Sequence, residues 1–303
     1  MSSPPLFSSA AHQSSRRQLY LIDGTSYIYR AFFALPHLSN SRGVSTNAIY
    51  GFTNMLLRLL REQAPAYLGV VFDAGGETER HREFAEYKAK RPPMPDTLAP
   101  QIPYIYQMLE AMHIPTLMEE GYEADDIIGT VALRAADEGF QVIIVTGDKD
   151  FLQLVGPTIQ VYDSMRDRAY GIREVEERYG VPPQAMVELM SLTGDPIDNI
   201  PGVPGIGEKT ASSLIKEFGT AENLLNHLDR VRQPRLREAL KAHAGQIRRN
   251  RSLVTIRIDL PLPLSCEALR RQEPDRERLQ ALFRELEFTR LLPPVEGAGR
   301  NTP

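Results

Sequence analysis

The sequence predicts an α/β protein, with a largely parallel central sheet flanked by helices and a helical second half. Three observations predict it. Short apolar, strand-like runs alternate with amphipathic helical stretches over residues 18–171. Most of these runs give out at or just before an acidic residue. From about residue 172 the strand signal fades and helical patterning dominates. Alternating strands and helices imply parallel pairing with both sheet faces covered. In such sheets ligands bind beyond the carboxyl ends of the strands, at a switch in strand order.

The elements follow in order. Residues 1–17 are rich in Ser and Pro, hold no acid and end in Arg16-Arg17, and are expected to be a disordered tail. They lack the apolar core of a secretory signal; a Ser- and Arg-rich start is also loosely similar to an organelle transit peptide. Gln18 to Asp23 is an apolar strand stopped by a turn at Gly24. A helix is expected over 46–62, with Ile49, Phe52, Leu56, Leu59 and Leu60 on one face. Tyr67 to Asp73 is a second strand, Ile114 to Met118 a third and Gln141 to Thr146 a fourth, with helices near 97–112 and 124–138 between them. Residues 77–96, ETERHREFAEYKAKRPPMPD, break the alternation and read as an inserted basic, aromatic-bearing helix closed by prolines. The helical part, 172–290, carries a glycine-rich motif at about 198–219, and a loose tail is expected over 291–303.

Bulk numbers narrow the class. A chain of 303 residues, 42% hydrophobic and 24% charged, suits one large domain or two intimate ones. No apolar run reaches the length of a membrane span. The single cysteine, Cys266, rules out an internal disulfide, fits a reducing compartment and reads as a structural thiol. A net charge of −4 argues only weakly against a nucleic-acid partner, because the candidate site alone holds more acids than that. The stretch Arg230 to Arg251 is strongly basic, either a solvated helix face or a phosphate-contact surface.

The acids carry the chemistry. Asp23, Asp73, Glu123, Asp125, Asp126, Asp148 and Asp150 sit at strand ends or just past turns, and Asp195 and Asp198 precede the glycine-rich turn. Two unit charges about 4 Å apart repel by about 4 kcal/mol at an effective dielectric of about 20. Gathered carboxylates therefore call for hard cations. Nine such acids exceed what one Mg²⁺ takes from protein, so two or more Mg²⁺ or Mn²⁺ ions are expected. Paired ions serve in-line displacement at phosphate esters. Plain helix capping is the competing account of Glu123, Asp125 and Asp126. The six histidines are scattered, with no zinc-ligand spacing.

Two further elements suit phosphate. In GVPGIGEKTA, Gly202, Gly205 and Gly207 let backbone approach a ligand, while Lys209 and Thr210 open a helix whose N–H groups favour anions. An ordinary helix–turn–helix corner is the plainer account. The inserted helix is either a solvated amphipathic arm or a clamp in which Lys88 and Arg91 hold a scissile phosphate while Tyr87 stacks on a base.

These motifs resemble a known family. LIDGTSYIYRAFFALP, VFDA, EYKAKRPPMPD, GYEADDIIGT, VTGDKDFLQLV and LTGDPIDNIPGVPGIGEKTA occur in the order found in the 5′-nuclease domain at the start of bacterial DNA polymerase I, part of the wider flap-endonuclease group. The resemblance covers roughly residues 18–290. It implies a PIN-like 5′-nuclease fold with a helical arch at about 77–96 and a helix–hairpin–helix-type DNA-binding element. It places all nine acids on the family's metal-site carboxylates, with Asp148 essential to catalysis, and Lys88 and Arg91 on the arch positions that engage the scissile phosphate. Arg30 falls near the cleaved end, Tyr87 on a DNA contact, and the glycine-rich turn on an element that grips duplex phosphates and holds a K⁺ through backbone carbonyls. The implied activity is structure-selective 5′–3′ exonuclease and 5′-flap endonuclease cleavage of DNA. The implied substrates are flaps, nicks and 5′ ends, with RNA primers on DNA included. The setting expected is the bacterial cytoplasm and nucleoid, as a monomer alongside a DNA polymerase partner. No polymerase region follows Pro303, so a stand-alone nuclease and an excised domain are both open. The alternatives are a junction-binding module without catalysis and an acid-rich ribonuclease.

Overall fold

The computed structural model describes residues 17–291. The expected tails at 1–17 and 291–303 lie outside it apart from Arg17 and Leu291. Arg17 belongs to the fold: its guanidinium lies 4.2 Å from the centre of the Phe140 ring, and its carbonyl accepts from the Gln141 N–H.

One six-stranded sheet runs in the order β3-β2-β1-β4-β5-β6. Its strands are β1 (Gln18–Asp23), β2 (Tyr67–Val71), β3 (Thr116–Leu117), β4 (Gln141–Val145), β5 (Ile159–Asp163) and β6 (Arg168–Tyr170). All pairs are parallel except β5–β6, which is antiparallel. Chain order runs outward one way from β1 through β2 to β3, then restarts at β4 on the other side. The switch point therefore lies between the ends of β1 and β4, where Asp23 and Thr146 meet: Thr146 Oγ1 donates to Asp23 Oδ2 at 2.9 Å. The sequence reading missed β5 and β6. The expected third strand shrinks to two residues, because it is an edge strand with one neighbour.

Among the described residues, twelve α-helices surround the sheet. They are α1 (Gly24–Ala34), α2 (Asn47–Gln63), α3 (Glu79–Glu83), α4 (Ile102–Ala111), α5 (Ala124–Asp137), α6 (Ile172–Tyr179), α7 (Met186–Thr193), α8 (Glu208–Phe218), α9 (Ala221–Asn226), α10 (Pro234–Ala242), α11 (Ala244–Val254) and α12 (Arg276–Glu285). The turn expected at Gly24 opens α1, because the Asp23 side chain caps the helix through the Ser26 N–H at 2.9 Å. In α2, Ile49, Phe52, Leu56 and Leu59 are buried as the periodicity demanded.

Strand alternation splits the interior in two. Leu19 and Leu21 of β1 face α5 and the helical half, in a core that includes Ile127, Ile144, Met190 and Ile215. Tyr20 and Ile22 face α1, α2 and α4, with Phe52, Leu56 and Met108. The helical half thus shares a core with the sheet. The end of the chain behaves differently: Phe283, Leu286 and Phe288, on and after α12, pack into the opposite core beside α4. Residues 172–290 are therefore not one helical body. Cys266 is buried, and burial pushes its thiol up to about 11, as befits an inert structural residue.

The inserted segment differs most from expectation. Its only helix is α3, five residues long, opened at Thr78 by a capping box with His81. Turns follow to residue 91. Lys88 has φ of +56°, in the left-handed region that a continuous helix excludes.

Candidate active site

The strand ends deliver the acids to one place. Asp23 closes β1, Asp73 follows β2, Glu123 and Asp125 open α5, and Asp148 and Asp150 follow β4. Asp195 and Asp198 come from the loop between α7 and α8. Asp73 reaches α5 directly, accepting from the Ala124 N–H at 2.9 Å. The fields of these groups overlap. Burial, then the charges of Asp148 and Asp73, push the Asp23 carboxyl up from 3.8 to about 6. Asp125 is pushed well above the usual carboxylate range by burial and by Asp148, Asp23 and Glu123. Asp150 is raised well above that range by burial and by Asp148, Asp195 and Asp198. Asp148 is raised by burial and by Asp198 and Asp195.

Asp126 stands apart. It pairs with Arg80 at 2.7 Å, accepts from the Arg257 N–H at 2.9 Å and closes the cap of α5. The capping account holds for this acid and for Glu123, the N-cap residue of α5, while Asp125 lies in the first turn without joining the capping box.

Cationic side chains stand among the acids. Lys88 Nζ lies 2.7 Å from Glu123 and 3.9 Å from Asp198, and Arg91 also pairs with Asp198. Lys149 Nζ meets Asp195 at 2.7 Å, and Arg80 Nη1 meets Glu123 at 3.0 Å. Burial works against the charge of Lys88, but Glu123, Asp125 and Asp198 hold its pKa above the usual value. Among the described residues, no group of three or more acidic, histidine or cysteine side chains is disposed to hold a metal ion. The nine-acid cage expected from the sequence is not preformed, since four of its members are committed to these cations.

The remaining acids still suit a hard cation. Asp23, Asp125, Asp148 and Asp150 offer only oxygen donors and repel one another. Asp150 Oδ1 is buried without a hydrogen-bond partner. A buried carboxylate oxygen left unsatisfied is costly, and a divalent cation relieves both faults.

Tyr87 overturns the stacking role. It is 3% exposed, and its hydroxyl donates to Glu123 Oε2 at 3.0 Å and Asp198 Oδ2 at 3.2 Å. No base can stack on it there; it ties two acids together. Its segment is also tied to the α7–α8 loop. The Lys88 N–H donates to the Asp198 carbonyl at 2.9 Å, and Asn199 Nδ2 donates to the Glu86 carbonyl at 2.7 Å.

The glycine-rich turn joins α7 to α8. Gly205, with φ of +82°, and Gly207 are exposed and unobstructed. Lys209 is exposed and Thr210 partly exposed at the start of α8. Gly202 is needed for another reason than the one expected: a Cβ there would lie 2.1 Å from the Thr193 carbonyl, so its role is chain packing. The basic stretch divides. Arg248 and Arg251 pair with Glu222 and Glu188, whereas Arg232, Arg235 and Lys241 are exposed.

Sequence reasoning missed Arg80 and Lys149. Lys149 was visible between two site acids, but a lone lysine carries no signal. Arg80 sits in a polar run where nothing marks burial. Arg30, expected near the cleaved end, pairs with Asp163 at 3.2 Å. A Cβ on Gly147 would lie 1.4 Å from Arg30 Nη2, so the guanidinium rests against the backbone preceding Asp148.

Acids gathered at the switch point of a mainly parallel sheet, with cations among them and a glycine-rich turn alongside, define a nuclease of the resolvase-like α/β type. The chain belongs to the 5′–3′ exonuclease family. The N-terminal resolvase-like domain of that family matches residues 18–180, and its C-terminal SAM fold matches residues 181–277. The 5′–3′ exonuclease of Aquifex aeolicus is 41% identical over 280 residues, covering 92% of this chain and 96% of that protein. DNA polymerase I of Bacillus caldotenax is 46% identical over 285 residues, covering 93% of this chain and 32% of that protein. The chain thus spans about a third of the polymerase relatives it matches. Among solved structures, the T5 D15 protein co-crystallized with metal ions shares the fold with a TM-score of 0.68 at 21% identity, covering 90% of this chain and 99% of that one. The catalytic core of Rad2 in complex with DNA substrate does so at 0.60 and 19%, covering 89% and 88%. The binding module without catalysis gives way to an enzyme. Among the described residues no helix is long and apolar enough to cross a membrane.

Proposed function

We propose that this chain is a structure-selective 5′–3′ exonuclease and 5′-flap endonuclease that hydrolyses DNA phosphodiesters with two or more bound Mg²⁺ or Mn²⁺ ions. It removes flaps or primers during replication and repair in the bacterial cytoplasm, beside a DNA polymerase. The observation that carries this reading is the convergence of acids at the β1/β4 switch point, with Asp150 Oδ1 buried and unsatisfied. Asp23, Asp73, Glu123, Asp125, Asp148, Asp150, Asp195 and Asp198 would hold the ions. When bound, the ions supply a water of lowered pKa and offset charge on the phosphate oxygens.

The chain's own residues do the rest. Lys88 and Arg91, already beside the acids, hold the scissile phosphate and offset its charge. Arg30, resting on Gly147, steadies the strand next to the cut. Tyr87 orients Glu123 and Asp198 through its hydroxyl. Gly205, Gly207, Lys209 and Thr210 grip duplex phosphates through backbone N–H groups and one ammonium, with a K⁺ at the turn as part of the same grip.

A 5′-labelled flap, a nicked duplex and single-stranded RNA, each offered with Mg²⁺ or with EDTA, test the reading. Short 5′ products are expected from the first two only with metal. Asp148→Asn is expected to abolish cleavage while DNA affinity in EDTA stays within about twofold. Binding without cutting by the unaltered protein, or cutting of the RNA alone, would overturn it.

A further inference from the structure

We propose that Asp163 is a positioning residue that holds Arg30 and Arg166 side by side as a clamp for a phosphate of the substrate strand, next to the phosphate being cut. The inference rests on the nuclease reading and extends it to a subsite on the β5–β6 side of the acids.

Asp163 ends β5 as Asp23 ends β1, and β5 lies directly beside β4. The two carboxylates nevertheless meet opposite company. Asp163 is 2% exposed. Its Oδ1 accepts from Arg30 Nη1 at 3.2 Å and from the N–H groups of Met165 and Arg166 at 3.1 and 3.3 Å. Its Oδ2 accepts from Arg166 Nη1 at 3.1 Å. One buried carboxylate thus fixes two guanidiniums, arriving from α1 and from the β5–β6 turn.

The charges do not cancel. Two arginines share one acid, and neither has another carboxylate within 4.0 Å among the described residues. Arg168, on the same hairpin, stacks 4.9 Å over Tyr170 and has no carboxylate partner there either. In each of Arg30 and Arg166 only Nη1 bonds to the Asp163 side chain, leaving Nη2 and Nε to donate elsewhere. These arginines line a cavity of about 590 Å³ together with Asp148, Asp195 and Asp198. A cavity lined by both acids and guanidiniums that have no carboxylate besides Asp163 suits a strand whose reacting phosphate meets the acids while its neighbour meets the arginines. Guanidinium forks match phosphate oxygens bidentately.

Stability alone does not explain the pair. Arg166 has a side chain 72% exposed, and ion pairs at such positions contribute about 0–1 kcal/mol. A buried carboxylate needs one cation; the second is in excess. Gly147 completes the case, since any side chain there would expel Arg30 from its seat.

The test compares Arg166→Ala, Arg166→Lys, Asp163→Asn and the double variant Arg166→Ala/Asp163→Asn in the full chain. DNA affinity is measured in EDTA across a salt series, and single-turnover cleavage in Mg²⁺, on flaps ending in 5′-phosphate or 5′-hydroxyl. Arg166→Ala is expected to weaken binding about tenfold and to lower the slope of log Kd against log salt by about one. Arg166→Lys should keep the slope but lose affinity. Asp163→Asn should lose affinity although no arginine is removed, and the double variant should be less than additive. Equal losses on both ends assign the clamp to an internal diester, and a loss confined to 5′-phosphate ends assigns it to the terminal monoester. Wild-type affinity and salt slope in Arg166→Ala would overturn the proposal, whatever becomes of the Asp163 variant's folding. Because binding is read without metal, failure of the clamp is separate from failure of metal-dependent cleavage.

Discussion

Arg80 uses every donor it has. Nε donates to the Leu253 carbonyl at 2.9 Å, Nη1 to Glu123 and Asp126 at 3.0 and 2.7 Å, and Nη2 to Asp126 and the Thr255 carbonyl at 2.7 and 2.8 Å. Five N–H groups meet five acceptors, which only the planar guanidinium can do. The residue orients a site acid while stapling the inserted segment to the end of α11. Arg80→Met would leave Asp126 buried and unpaired and is expected to destabilise the protein by about 3–5 kcal/mol in urea unfolding; an unchanged midpoint would refute the assignment. The carboxylates were legible because strand ends and turns mark them in the sequence. The partners of Asp126 and Tyr87 were not, because the direction in which a side chain points is decided by packing between distant segments. Family resemblance supplied position without environment.

At the scale of elements, legibility followed length and periodicity. The α2 stripe was read correctly because seventeen residues carry enough turns to show a face. Phe52, fully buried at the centre of that stripe, is expected to cost about 3–5 kcal/mol when cut back to Ala, measured by the shift in denaturant midpoint at constant slope; a loss below about 1 kcal/mol would mean the stripe is not core. Short elements were missed. β6 has three residues, Arg-Ala-Tyr, with no alternation to read. The segment 77–96 has the Glu, Arg, Lys and Ala content of a helix, yet only five residues form one. Phe84 ends α3 in an extended conformation, and hydrogen bonds to the α7–α8 loop then hold the chain in turns. Helix propensity is a weak prior that tertiary contacts override.

At the scale of the molecule, the acid cluster sets acid–base behaviour. A carboxyl raised from 3.8 to about 6 binds its proton more tightly in the folded state than in the unfolded one. Stability from that proton is present at low pH and is lost as pH climbs from about 4 to about 6. With EDTA present, the melting temperature is expected to fall across that window, and Asp23→Asn should flatten the fall. Added Mg²⁺ should restore stability above pH 6 in the wild type alone. A melting temperature that rises across the window equally in both proteins would contradict the assignment. The division into two cores was partly legible. Parallel strands announced covered faces, but nothing in residues 276–288 announced that they cross to the far side of the sheet. That choice depends on which apolar face lacks a cover once the rest has folded.

The bridge from Glu86 and Lys88 to Asp198 and Asn199 has a mechanical implication. The short stretch that carries Lys88 is tied, by one backbone–backbone and one side chain–backbone hydrogen bond, to the loop leading into the glycine-rich turn. Displacing either one drags the other. Under the proposed function, seating of double helix at the turn and arrival of the Lys88 charge at the strand are then two readings of a single movement, and a duplex that seats badly would leave that charge out of line.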